Sequence, residues 1–147
     1  EQQKAAVAGD YTAAVFLDYP SREIKSGGRG NLVDDFEALV RTCRPRVIYT
    51  HNPADKHSTH LAVVASVVEA LRRLDSTFHP EEFYGCEVWR DLDWLPDAEK
   101  VTLAVDRHEN LAHALLGVFD SQIAGGCNLS GVACRRRLQR VDLCHGP

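Results

Sequence analysis

The chain has 147 residues, 44% of them hydrophobic and 26% charged, which suits one globular domain with a core of its own. Its net charge of −4 excludes the basic footprint of a nucleic-acid binder, and no apolar run approaches the roughly 20 residues of a membrane span. Five cysteines (Cys43, Cys86, Cys127, Cys134, Cys144) without Cys-x-x-Cys spacing read as reduced thiols, and no secretory signal is visible, so a cytoplasmic location is expected.

Glu1 to Ala8 holds strong helix formers with no N-cap before them, and Gly9 is a helix stop. With no methionine anywhere, the expectation is a polypeptide that starts before Glu1. Thr12 to Asp18 is apolar and predicts a buried strand, ended by a turn at Tyr19-Pro20-Ser21. Ser26-Gly27-Gly28-Arg29-Gly30 is a loop without phosphate-loop spacing. Asn31 and Asp34 open a helix with Leu32, Phe36, Leu39 and Val40 on its apolar face, and Pro45 stops it. Arg46 to Thr50 predicts the next strand, and Leu61 to Leu74 a helix so apolar that deep burial is expected.

After a loop at His79-Pro80, strands are predicted at Phe83 to Trp89 and Lys100 to Val105. Asp106 and Glu109 cap a helix from Arg107 to Ile123, with Leu111, Ala114, Leu115 and Val118 facing inward. A short basic helix is expected at Val132 to Arg140. His79 and His145 read as loop and tail residues without partners, and His108 and His113 as surface and packing residues. The alternation of strands and helices predicts an α/β fold, a mostly parallel sheet with helices on both faces, formed by one domain over residues 1–147.

The segment from Thr50 to His60 places His51, Asp55, His57 and His60 where a strand gives way to a helix. Imidazole with carboxylate suits zinc or another divalent ion. Histidines three apart at a helix start share one face, so His57 and His60 address one site together. The carboxyl end of a strand in an α/β sheet is also where ligands bind. Four ligands this close in sequence would strain the turn, which disfavours coordination by all four at once.

These residues resemble the PIG-L or LmbE-like family of zinc-dependent N-acetylglucosaminyl deacetylases. The likeness is carried by Glu1-Gln2-Gln3-Lys4-Ala5-Ala6, Leu17-Asp18-Tyr19-Pro20-Ser21, the histidine segment, Cys86 to Trp94, and Phe119 to Gly126. It implies a Rossmann-like fold and metal-dependent removal of an N-acetyl group from an amino sugar or its conjugate. By its His-x-x-His pattern, His60 is a metal ligand. His57 is the group that meets the oxyanion and protonates the leaving amine. Asp55 stands in for the carboxylate that orients His57, because Ser58-Thr59 occupies the place of the usual acidic residue. Trp89, Arg90 and Asp91 follow a strand and suit a sugar pocket, with core packing and a surface ion pair as the equal alternative.

The family's other motif, a His-Pro-Asp-Asp that supplies two ligands and the general base, does not occur in this sequence. The domain is therefore expected to be incomplete, to lack its first strand, and to be a poor catalyst as it stands. Exposed sheet edges would then favour homo-oligomers. The alternative is a non-catalytic relic or binding module that keeps the fold and pocket.

Overall fold

The computed structural model describes residues 1–26, 30–88, 92–105, 107–125 and 135–140. Two compact units divide the chain. One comprises Glu1–Phe16 and Leu103–Arg136, the other Leu17–Thr102 and Arg137–Pro147.

The second unit is built on a parallel βαβ element. Strand β1 (Val47–His51) and strand β2 (Glu82–Cys86) run parallel, with Val47 beside Glu82 and His51 beside Cys86. Parallel neighbours need a crossover, and α4 (Ser58–Arg73) provides it. Helix α3 (Gly30–Cys43) packs against α4. Val40, Leu71, Leu74 and Phe83 form the core, with Ile48, Val67, Val68 and Phe78 packed on it. Arg41 and Arg44 lie over the Phe78 ring at 5.0 and 4.5 Å. At the opening of the sheet, Arg46 Nε and Nη2 both donate to the Glu81 carboxylate while Glu82 N–H donates to Arg46 O, which fixes the register of β1 on β2.

The sheet order is β1-β2-β4-β3, with β3 at Val101–Ala104 and β4 at Arg135–Arg140. The architecture is α/β, as the alternation predicts, and Rossmann-like, as the family resemblance implies. One pairing differs: β4 runs antiparallel to β2, with Leu138 beside Cys86 and Arg140 beside Tyr84. Residues 135–140 are thus a strand and not the expected basic helix, because pairing with β2 overrides the helix propensity of arginine. The remainder of that expected helix, 132–134, lies outside the described residues, as do 27–29 of the glycine loop, Asp106 and Gly126.

Three further expectations are corrected. Thr12 to Asp18 forms no strand; it runs without ladder partners, with Val15 and Phe16 more than half exposed, and it ends at Asp18 in the left-handed region (φ 56°). Immediately after it comes a short helix, α2 (Ser21–Lys25). Helix α4 starts earlier than predicted and is only partly buried, since Val63 and Val67 line an apolar groove of about 650 Å³ shared with α3 and β1. His79 does have partners: its Nε2 lies 2.7 Å from Leu71 O and 3.2 Å from Leu74 O. Both neighbours are acceptors, so Nε2 carries the proton and closes the carboxyl end of α4.

In the first unit, α1 (Gln2–Ala8) ends at Gly9 as expected and buries Ala5. The predicted helix over 107–123 is interrupted, giving α5 (Glu109–Gly117) and α6 (Asp120–Ala124), neither of which buries a residue. His108 and His113 are exposed. The Glu1 carboxylate accepts from Ser121 N–H and Ser121 Oγ–H at 2.7 Å each, bonds that hold its pKa below the ordinary value.

Candidate metal centre at the β1–α4 turn

Between His51, the last residue of β1, and Ser58, the first of α4, the chain makes two successive side-chain-closed turns. Asn52 Oδ1 accepts from Ala54 N–H at 2.7 Å, and Asp55 Oδ1 accepts from His57 N–H at 2.8 Å. Asparagine and aspartate favour this local pattern, in which a short side chain bonds the backbone two residues on. The second turn delivers the chain into α4 with His57 at the N-cap position in an extended conformation.

The Asp55 carboxylate is almost wholly buried. Its second oxygen, Oδ2, lies 2.6 Å from Nδ1 of His60. A carboxylate only accepts, so Nδ1 of His60 carries a proton, and in the neutral ring the free lone pair is then on Nε2. A carboxylate bonded in this way to the far nitrogen of the ring orients a metal-binding histidine. Burial by itself would raise the Asp55 carboxyl. The His57 N–H bond, the His60 bond and the nearby imidazoles outweigh it, and the pKa falls below the usual carboxylate value.

The His51 ring stacks on the His60 ring, with centroids 3.9 Å apart and planes 3° from parallel. Burial, followed by repulsion from His60, lowers the His51 pKa and favours the neutral imidazole that a cation requires. His51, Asp55 and His60 offer donor atoms that all lie within 4.8 Å of one another. Two neutral imidazoles and one carboxylate form a set suited to zinc or a similar divalent ion. Thr59, inside the His-x-x-His segment, has a buried hydroxyl with no hydrogen-bond partner among the described residues.

His57 is exposed, and its ring sits 4.4 Å from that of His60 at 33°. The sequence-predicted residues His57, Asp55 and His60 therefore come together. Asp55 reaches His57 through its backbone N–H and reaches His60 through its ring. His51 joins them, though its position before the helix gave it no helical periodicity with His57 and His60; its only signal is its place at the strand's carboxyl end. Trp89, Arg90 and Asp91 lie outside the described residues.

The strand-to-helix turn thus groups two imidazoles and a buried carboxylate that could hold a divalent ion. The family model described as PIG-L: GlcNAc-PI de-N-acetylase matches residues 1–71, a span that includes this whole turn, and bears out the resemblance over that stretch; the blocks at Cys86 to Trp94 and Phe119 to Gly126 lie beyond it. The likeness is to a deacetylase-type fold in a family that acts on amino-sugar substrates. No curated protein and no solved structure matches the chain. No helix among the described residues is long and apolar enough to cross a membrane.

Proposed function

We propose that this chain carries part of the catalytic centre of a metal-dependent hydrolase that removes the N-acetyl group from an amino sugar or its conjugate. The observation that carries the reading is the convergence of His51, Asp55 and His60, with His57 beside them, inside the segment matched by the deacetylase family. His60 is the principal ligand through Nε2, and His51 supplies a second imidazole. Asp55 orients His60. A zinc ion so held would polarise the acetyl carbonyl and activate water. His57, exposed beside His60, takes the role of donating to the developing oxyanion and returning a proton to the leaving amine.

The sequence contains no His-Pro-Asp-Asp segment, so the general base of the family pattern has no counterpart in residues 1–147. The expected result is zinc binding without turnover. Metal analysis of variants tests the first part: His60→Ala loses zinc and His57→Ala keeps it, and the reverse would overturn the assignment. A free-amine assay with N-acetylglucosamine conjugates and zinc tests the second. Turnover that disappears in His57→Gln would show that the absent motif is dispensable. A protein that binds no zinc would favour the non-catalytic binding module. Strand β1 stands at the end of the sheet order, and we include association through that edge in the proposal. Light scattering that shows only monomer across a concentration series would remove it.

A further inference from the structure

We infer that Asn52 and Gly85 form a positioning pair that locks the metal-binding turn onto strand β2. The inference rests on the metal-site reading above and concerns residues that contact no metal. Asn52 follows His51 directly and precedes Asp55 by three positions, so its backbone path sets the spacing between the His51 imidazole and the carboxylate that orients His60. It is fully buried, yet polar. Such a residue is retained only where its hydrogen-bonding capacity is used.

Asn52 uses both ends of its amide. Oδ1 accepts from Ala54 N–H at 2.7 Å, and Nδ2 donates to Gly85 O at 3.3 Å, across to the neighbouring strand. Its own carbonyl accepts from Asp55 N–H at 3.0 Å. Three bonds thus tie one residue to the turn and the turn to the sheet. Only a side chain with a donor and an acceptor at this length serves both partners: aspartate lacks the donor, serine the reach, leucine both.

Gly85 is the other half of the pair. It lies inside β2, between Thr50 of β1 and Gln139 of β4, where a glycine ordinarily weakens a strand. The reason is close approach: a Cβ at this position would come within 3.0 Å of Asn52 Cα and Nδ2 and 3.2 Å of Pro53 Cδ. Two of those atoms are backbone or ring and cannot turn away. A Cβ at 85 would force the turn to give by a few tenths of an ångström, and His51 and Asp55 on either side of Asn52 would shift with it.

Cobalt(II) titration followed by visible absorption tests the pair, because band position and intensity report ligand geometry. The variants are Asn52→Ser, which keeps a short acceptor for the turn but loses the reach to β2, Asn52→Ala, which loses both bonds, and Gly85→Ala. Urea unfolding and circular dichroism of the metal-free variants identify those that fold. The expected result is a folded variant whose cobalt affinity falls about tenfold or more, the scale seen when a group that positions a metal ligand is lost, with displaced bands. A merely structural role would lower the urea midpoint and leave affinity and bands of the folded protein unchanged, which would overturn the inference. Should the Asn52 variants not fold, Gly85→Ala decides, since it leaves every hydrogen-bonding group in place. Wild-type affinity there would also overturn it. If the wild-type protein takes up no cobalt, the metal-site reading itself falls, and the inference with it.

Discussion

Replacing Asp55 by asparagine separates orientation of His60 from simple burial of a polar group. The side chain keeps its shape, but asparagine has one carbonyl oxygen where aspartate has two acceptors. In the native turn both are used, by His57 N–H and by Nδ1–H of His60. The amide NH₂ must therefore face one of those donors. If the oxygen stays with His57, the NH₂ meets His60 and forces the ring to accept at Nδ1, which moves its proton to Nε2 and removes the lone pair a metal needs. Loss of a carboxylate that orients a metal-binding histidine costs about 10–100-fold in metal affinity, or about 1.4–2.8 kcal/mol at about 1.4 kcal/mol per tenfold. The carboxylate is 1% exposed, so the metal-free protein should also lose about 1.5–3 kcal/mol, the range for a hydrogen bond to a charged group. Competition with a chromophoric zinc chelator measures the first quantity and urea unfolding in chelator the second. An Asp55→Asn protein that binds zinc within a factor of two of wild type would refute the reasoning.

Leu71→Ala empties a fully buried position in the Val40–Leu71–Leu74–Phe83 cluster and should destabilise by about 2–5 kcal/mol in urea; a loss below about 1 kcal/mol would mean the groove beside α4 collapses to fill the space. The Arg46–Glu81 clamp makes a pH-dependent contribution. Hydrogen bonds and charge from Arg46 hold the Glu81 pKa below its ordinary 4.5, so the folded state binds fewer protons than the unfolded. The stabilisation is full above pH 4.5 and disappears as pH falls through the lowered folded value. Arg46→Gln should therefore cost a small, salt-sensitive amount of stability at pH 7 and none well below pH 4. An equal loss at both pH values would show that the clamp acts through something other than charge.

Much of the second unit could be read from the sequence because its elements agree with their periodicity. Leu32, Phe36, Leu39 and Val40 recur at helical spacing, and Pro45 is incompatible with continuing α3. Thr12 to Asp18 shows where that logic stops: an apolar run suits a strand, but a strand exists only with a neighbour to bond, and no local pattern names one. Arg135 to Arg140 fails in the opposite sense, since its ladder with β2 comes from residues about fifty positions away. At the site, the helix start made His57 and His60 legible as a pair. The role of His51 and the dual engagement of Asp55 depend on the path of the turn, which two side-chain-to-backbone bonds determine and no spacing rule encodes. His79 was illegible for the same reason: its partners are carbonyls freed only where α4 ends.

The two imidazoles of the candidate centre and the carboxylate that orients one of them fall within ten consecutive positions, from His51 to His60. Drawing together the ends of so short a loop costs little entropy, because the closure penalty grows with loop length. The denatured chain should then keep appreciable affinity for the same ion. A ligand stabilises a fold only to the extent that it prefers the native over the denatured state. Zinc should accordingly raise the melting temperature by less than its native-state Kd implies, unlike an ion whose ligands come from distant strands. By the same logic, a chain emerging from synthesis can take up the ion once residue 60 is exposed, before β2 is present to receive the turn.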